Sequence, residues 1–232
     1  MAKSQIIKDL ANSTIDVGTA LKRAKVLFSE LGNEELLKWV NCEISGYPDN
    51  ASLPDYRVLR GTLIGSYMKG SMANHLKWTN VSIPLGKMPE EAKDALLSVY
   101  LFEGVDALEH LIQFNENPEN RLGKQIPADC FPLFNKYNND PFMIITSARV
   151  EVSTHNLSNV ISIIENRLLD SLLLLEKEFG NLDELDIDTS GKSTLEIEEI
   201  ANKITVLVYN DNRVTIGDGN KIKDSSINTP SE

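Results

Sequence analysis

Tyr56-Arg57-Val58-Leu59-Arg60-Gly61-Thr62-Leu63-Ile64-Gly65-Ser66-Tyr67-Met68 is rich in β-branched and aromatic residues and carries no helical stripe. Its period is two. Tyr56, Val58, Arg60, Thr62 and Ile64 fall on one face, and Arg57, Leu59, Gly61 and Leu63 on the other. The pattern predicts one long strand, with Gly61 or Gly65 marking a bulge or a close backbone approach. Lys77–Ile83 reads as a second strand closed by Pro84, and Lys69–Asn74 as the hairpin loop between them. Phe142–Val152 alternates weakly and reads as a third strand.

On either side the period is helical. Ser4–Ala11 is a short amphipathic segment. Asp16–Leu31 sets Val17, Ala20, Leu21, Ala24, Leu27, Phe28 and Leu31 on one stripe, and Gly32 stops it. Asn33 caps the next helix, with Glu34 and Glu35 in the first turn, where the macrodipole favours anions; Gly46 and Pro48 end it. Trp39 and Tyr47 in this stretch are expected in the interior, the Tyr47 hydroxyl bonded to a partner. Helix returns at Pro89–Tyr100 and Gly104–Phe114, whereas Asn115–Tyr137 holds three prolines and reads as mostly loop. Thr154 or Asn156 caps a long helix to Phe179. Helix, hairpin and helix in that order do not alternate as βαβ units would. The expected class is therefore α+β: a helical N-terminal unit, a small antiparallel sheet, and the long helix packing on it.

From Leu182 the composition turns acidic, and Leu182–Ser193 reads as a linker. Ser193 and Glu196 have capping-box spacing and open a short helix to about Lys203. Ile204–Val208 reads as a strand. Val214, Ile216, Ile222 and Ile227 then recur between Asn, Gly and Asp turns, like rungs of a β-coil. The expected organisation is 1–190 as an α+β domain, 191–203 as linker and short helix, and 204–232 as a β-rich tail. Such a tail buries too little alone. It is expected to assemble with other copies through Val206, Val208, Val214, Ile216, Ile222 and Ile227.

A chain of 232 residues with 41% hydrophobic and 25% charged residues builds a core without disulfides or a structural metal. The net charge of −11 disfavours generic binding to a phosphate backbone. Cys42 and Cys130 are far apart, which fits a reduced, cytoplasmic protein and no zinc site. The most apolar stretch, Val160–Leu175, is broken by Glu165, Asn166, Arg167 and Asp170, so no membrane span is expected.

Chemistry-bearing patterns are few. His75, His110 and His155 have no partner at ligand spacing, and there is no phosphate loop or nucleophile elbow. Asp183, Glu184, Asp186 and Asp188 lack the calcium-loop register, and Gly217-Asp218-Gly219-Asn220 reads as a turn. No metal, cofactor or catalytic residue is assigned, and whether the chain is an enzyme stays open. Arg57 and Arg60 are the anion-binding candidates. The competing reading pairs them with Asp49, Asp55, Glu34 or Glu35.

The run Leu31-Gly32-Asn33-Glu34-Glu35-Leu36, continuing through Gly46-Tyr47-Pro48 to Tyr56-Arg57 and Arg60-Gly61-Thr62, resembles the AbiTii domain family. The resemblance extends to Leu172–Asp186 and covers roughly residues 4–190. It implies a bacterial protein of phage-conflict loci, acting in abortive-infection defence as effector, sensor or adaptor. The family brings no catalytic residue to any position here. The tail from Val214 to Ile227 is similar to Asn/Gly-rich coils that follow many bacterial conflict domains. The leading expectation is a defence component that works through homo-oligomerisation and binding, with itself and another defence-system protein as partners. The alternative is a hydrolase or toxin directed at nucleic acid or a nucleotide. A housekeeping scaffold is the third reading.

Overall fold

A computed structural model describes residues 3–71, 73–114 and 122–209. The chain divides into two compact units, each assembled from separate stretches: Met1–Asp49, Glu103–Ala107 and Ile161–Glu232 in the first, Asn50–Phe102 and Leu108–Val160 in the second. Mixed helix and antiparallel strand is the class expected.

The first unit is helical. It contains α1 (Gln5–Ala11), α2 (Val17–Ser29) and α3 (Glu34–Ser45), most of α7 (Thr154–Phe179), and α8 (Thr194–Tyr209). The local signals act as expected. The Asn33 side chain accepts from Leu36 N at 2.9 Å; Asp16, read as the first residue of its helix, is instead the cap of α2 and accepts from Thr19 N at 2.6 Å. Gly32 closes α2 at φ +64°. The α2 stripe is buried, including Ala20, Leu21, Ala24, Leu27 and Phe28. From α7, Ile164, Leu168, Leu172 and Leu175 are buried at successive turns. The acidic stretch before α8 is pinned: Leu182 and Ile187 are buried, so it is a fixed connection in this unit.

The second unit holds the sheet. Its strands are β1 (Val58–Arg60), β2 (Thr62–Ser71), β3 (Asn74–Ser82), β4 (Ser98–Tyr100), β5 (Gly123–Gln125) and β6 (Met143–Glu151). Four form an antiparallel sheet in the order β3-β2-β6-β5, and β1 pairs separately with β4. One sheet face packs a core of Leu63, Ile83, Met143, Ile145, Ala148 and Val150, joined by Phe134 of α6 (Phe131–Asn138) and Leu97 of α4 (Glu90–Leu97). The remaining helix, α5 (Val105–Phe114), has Val105 and Leu108 buried.

The expected long strand is two strands broken at Gly61. Asp55–Arg57 is a 3-10 turn, and Gly61 N donates to Leu97 O at 2.9 Å, outside both ladders. A side chain at Gly61 would meet Val150 Cγ1 at 2.5 Å. Gly65 is the close approach: the register shifts just after it against both neighbours, with the extra residue on β3 and on β6 and none on β2. A Cβ there would strike the Ser147 carbonyl oxygen and come within 2.6 Å of Ile83 Cδ1. Gly65→Ala is therefore expected to cost about 2–3 kcal/mol, seen as a lowered urea midpoint. An unchanged midpoint would show that β2 and β6 part freely.

Other boundaries moved. The loop expected at Lys69–Asn74 is mostly ladder, since Lys69 pairs with Leu76 and Ser71 with Asn74. The helix expected to Tyr100 stops at Leu97, where Ser98–Tyr100 pairs with β1. The proline-rich stretch expected as loop contains β5 and α6, with Phe134 in the core; residues 115–121 lie outside the described residues.

The largest correction is at the C-terminal end. Ile204–Val208 is not a strand but the last turns of α8. Ile200, Ala201, Ile204, Thr205 and Val208 are buried and share one helical phase. β-branched residues lose only a few tenths of a kcal/mol each in a helix. Burying Ile204 and Val208 returns about 1.5–3 kcal/mol each, so packing wins. The Arg167 guanidinium closes the end by donating to Val208 O at 2.6 Å. The expected tail thus begins no earlier than residue 210, and residues 210–232 lie outside the described residues.

Candidate functional site

The turn Leu31–Glu35 faces α8 across a groove of about 470 Å³ within the first unit. Its far wall is Thr194, Ile197, Glu198, Ala201 and Asn202. The turn is set by chain chemistry already described: Gly32 allows the reversal, and Asn33 begins α3. Asn33 also ties the two walls. Its Nδ2 donates to Asn202 Oδ1 at 3.4 Å, and its Oδ1 accepts from Thr205 Oγ1 at 3.5 Å. Thr205 Oγ1 also lies 2.9 Å from Ala201 O. Farther along, the Tyr209 hydroxyl donates to Glu35 O at 3.4 Å. Burial, followed by the nearby carboxylate of Glu35, pushes the Tyr209 phenol up to about 12, so it stays a donor.

The lining offers three carboxylates, Glu34, Glu35 and Glu198, two amides and one hydroxyl, with no Lys, Arg, His or Cys. Such a wall accepts hydrogen bonds and attracts a cationic group. It has no nucleophile paired with a base. Among the described residues, no three His, Cys, Asp or Glu side chains stand close enough to hold a metal ion.

A second polar assembly fastens the start of α1. Glu176 Oε1 accepts from Ser4 N at 2.6 Å and Ser4 Oγ at 2.7 Å, and Glu176 Oε2 from Lys3 Nζ at 2.6 Å. Ser4 Oγ accepts from Leu182 N at 3.0 Å, and Asp183 Oδ1 accepts from Gln5 N. One acidic side chain from the last turn of α7 and one from just beyond it thus satisfy the free N–H groups at this helix start. Burial would raise the Glu176 carboxyl; the bonds from Lys3 and Ser4 outweigh it and hold the group down at about 2. The Gln5 N–H, with Asn181, lowers Asp183 as well. Sequence reasoning missed this clamp, because its partners are 172 or more residues apart and no motif joins them.

The anion-binding candidates are placed differently from each other. Arg57 is fully buried and engaged in the 3-10 turn, closed to solution. Arg60 is exposed and ion-paired to Asp94 of α4, a partner not among those expected. Arg57 therefore stands in the turn before β1, and the two are not opposite faces of one strand. Of the assembly candidates, Val208 is buried and Val206 half-buried in α8, while Val214, Ile216, Ile222 and Ile227 lie outside the described residues. Trp39 is fully buried, and the half-buried Tyr47 hydroxyl donates to Glu43 Oε1 at 2.6 Å. His75, His110 and His155 are all exposed.

Among the described residues no helix is long and apolar enough to cross a membrane. The AbiTii family model matches residues 4–200 of the chain. That span contains the Leu31–Glu35 turn and the groove-lining face of α8 except Ala201 and Asn202. No curated protein and no solved structure matches.

Proposed function

The chain belongs to the AbiTii family, a name that points to abortive-infection defence, and from that premise we propose that it acts there by binding and self-association. Association is assigned to residues 210–228. One observation carries this: α8 seats Ile204 and Val208 in the core of its own unit, so the chain enters this stretch from a fixed helix end. Val214, Ile216, Ile222 and Ile227 are its apolar residues. Four such side chains among Asn, Asp, Gly and Lys bury too little within one copy. Rungs from several copies bury them together and cover open strand edges. Joined tails then hold the rest of each chain at high local concentration. The groove at Leu31–Glu35 supports the binding half of the reading. Its carboxylates suit a cationic segment of a second defence protein.

The test compares the full chain with one ending at Tyr209, which keeps α8 whole. Light scattering is expected to show an oligomer for the first and a monomer for the second, at equal urea midpoints. Expressed in a phage-challenged host, the shortened chain is expected to lose protection. A monomeric full-length protein, or an oligomer untouched by the truncation, overturns the assignment. Cutting at Asn202 would remove Ile204 and Val208 from the core and confuse unfolding with dissociation.

A further inference from the structure

Charge is divided unevenly between the two units. The first carries 13 Lys/Arg and 24 Asp/Glu; the second carries 10 of each. The whole net charge of −11 therefore belongs to the first unit. Within the second, no Asp or Glu occurs between Tyr56 and Pro89, while Arg57, Arg60, Lys69, Lys77 and Lys87 do. This stretch contains the hairpin of β2 and β3. The total charge of −11 thus averages over two unlike units. At physiological salt a field is screened beyond about 8 Å, so a face acts through its own groups.

β3 is an edge strand, and each of its residues is exposed or half-exposed. Cross-strand pairing places Lys77, Met68 and Ile144 in one row on the face turned from the core. Ile144 is 47% exposed there. His75 pairs with Gly70 on the same face, and Ser66 with Ser147. Lys77 forms no ion pair among the described residues, whereas Lys69 is tied to Asp140 at 3.0 Å and Arg149 to Glu151. On the other face Trp78 is half-exposed and stacked on Tyr67, with centroids 5.1 Å apart and planes 19° apart. Lys69 Nζ lies 5.9 Å from the Tyr67 ring centre.

We infer that the β2–β3 hairpin is a docking surface for single-stranded nucleic acid. A polyanion matches an acid-free stretch with an uncommitted Lys77. A base matches an exposed aromatic edge, because any base stacks on an indole whatever its sequence. The bound strand crosses the open edge of β3: its phosphates meet Lys77 and the imidazole of His75 on one face, and a base folds over the edge onto Trp78 on the other. Duplex is disfavoured, since a flat hairpin edge offers nothing that enters a groove.

The two tryptophans make the test direct. Trp39 is fully buried, so a stacking base reaches Trp78 and not Trp39. Full-length protein is titrated with a twelve-nucleotide oligo-dT and oligo-U at rising NaCl. Expected are a rise in anisotropy of the labelled strand, quenching of tryptophan emission, and weaker binding as salt increases. Lys77→Glu should weaken binding about tenfold and lower the salt slope by about one. Trp78→Phe should abolish the quenching while the urea midpoint stays near the parent's. No binding at low salt, binding unaffected by Lys77→Glu, or quenching that survives Trp78→Phe each overturns the inference. So does salt-sensitive self-association lost in Lys77→Glu without oligonucleotide binding, which would make the acidic unit of a second copy the partner.

Discussion

Replacing Trp39 by alanine is expected to remove about 3–5 kcal/mol of stability, the largest effect of any single truncation in the helical unit. The indole is fully excluded from water, in α3 between the buried Leu36 and Val40. α3 packs on α2, whose stripe is also closed to solvent. Truncation therefore loses both the transfer free energy of the indole and the contacts of a packed site that collapses only in part. For a chain of this length the loss corresponds to roughly 6–20 °C in melting temperature. Urea denaturation followed by circular dichroism measures it. Trp39→Phe, which keeps most of the volume, is expected to lose less than half as much. A midpoint for Trp39→Ala within about 0.5 kcal/mol of the parent would take Trp39 out of the core.

The second large effect concerns pH. Glu176 is held down at about 2 against an ordinary value of 4.5. Its carboxylate therefore binds fewer protons in the folded chain than in the unfolded one. The stabilisation is fully present above pH 4.5 and is lost as pH falls through about 2. The shift corresponds to about 3 kcal/mol, nearer 2 because water still reaches 12% of the side chain. Glu176→Gln is expected to lower the urea midpoint at pH 7 by about that amount. The gap between variant and parent should narrow as pH falls below 4.5, where the unfolded parent takes up the proton, and close only as pH falls through about 2, where the folded parent does. A gap that stays constant from pH 7 to pH 3 would assign the loss to packing and not to the carboxylate. Proteolysis near residue 11 reports the same event locally, since α1 loses its N-terminal bonds when the clamp opens.

Local rules carried much of the architecture. Asn33 and Ser193 each cap the helix that their spacing announces, and Glu196 Oε2 returns a bond to Ser193 N at 2.7 Å. These are contacts across three residues, written entirely in neighbouring side chains. Gly32 and Gly180 end α2 and α7 for the same reason. Gly65 was legible as a close approach because a glycine in a strand has few other uses, though which strand approaches it was not.

Readings failed where a local preference met a distant partner. Gly61 divides the strand because Leu97 O and Val150 occupy the space beside it. Ser98–Tyr100 is a strand because Val58–Arg60 is there to pair with it. The Leu31–Glu35 turn was conspicuous as a string, but the wall facing it was hidden in a segment whose β-branched residues argued for a strand. The clamp on Ser4 was invisible throughout.

By itself, then, the sequence determined the caps that open α3 and α8, the end of α7, the antiparallel class, the burial of Trp39 and the family, because caps, periods and motifs are short-range. Only the tertiary structure decided that Ile204–Val208 is helix, that Arg57 is interior while Arg60 is paired outside, and that Glu176 holds the start of α1. Each of these rests on desolvation or a hydrogen bond to a residue far along the chain. Such energies of one to several kcal/mol exceed the few tenths by which local propensity differs.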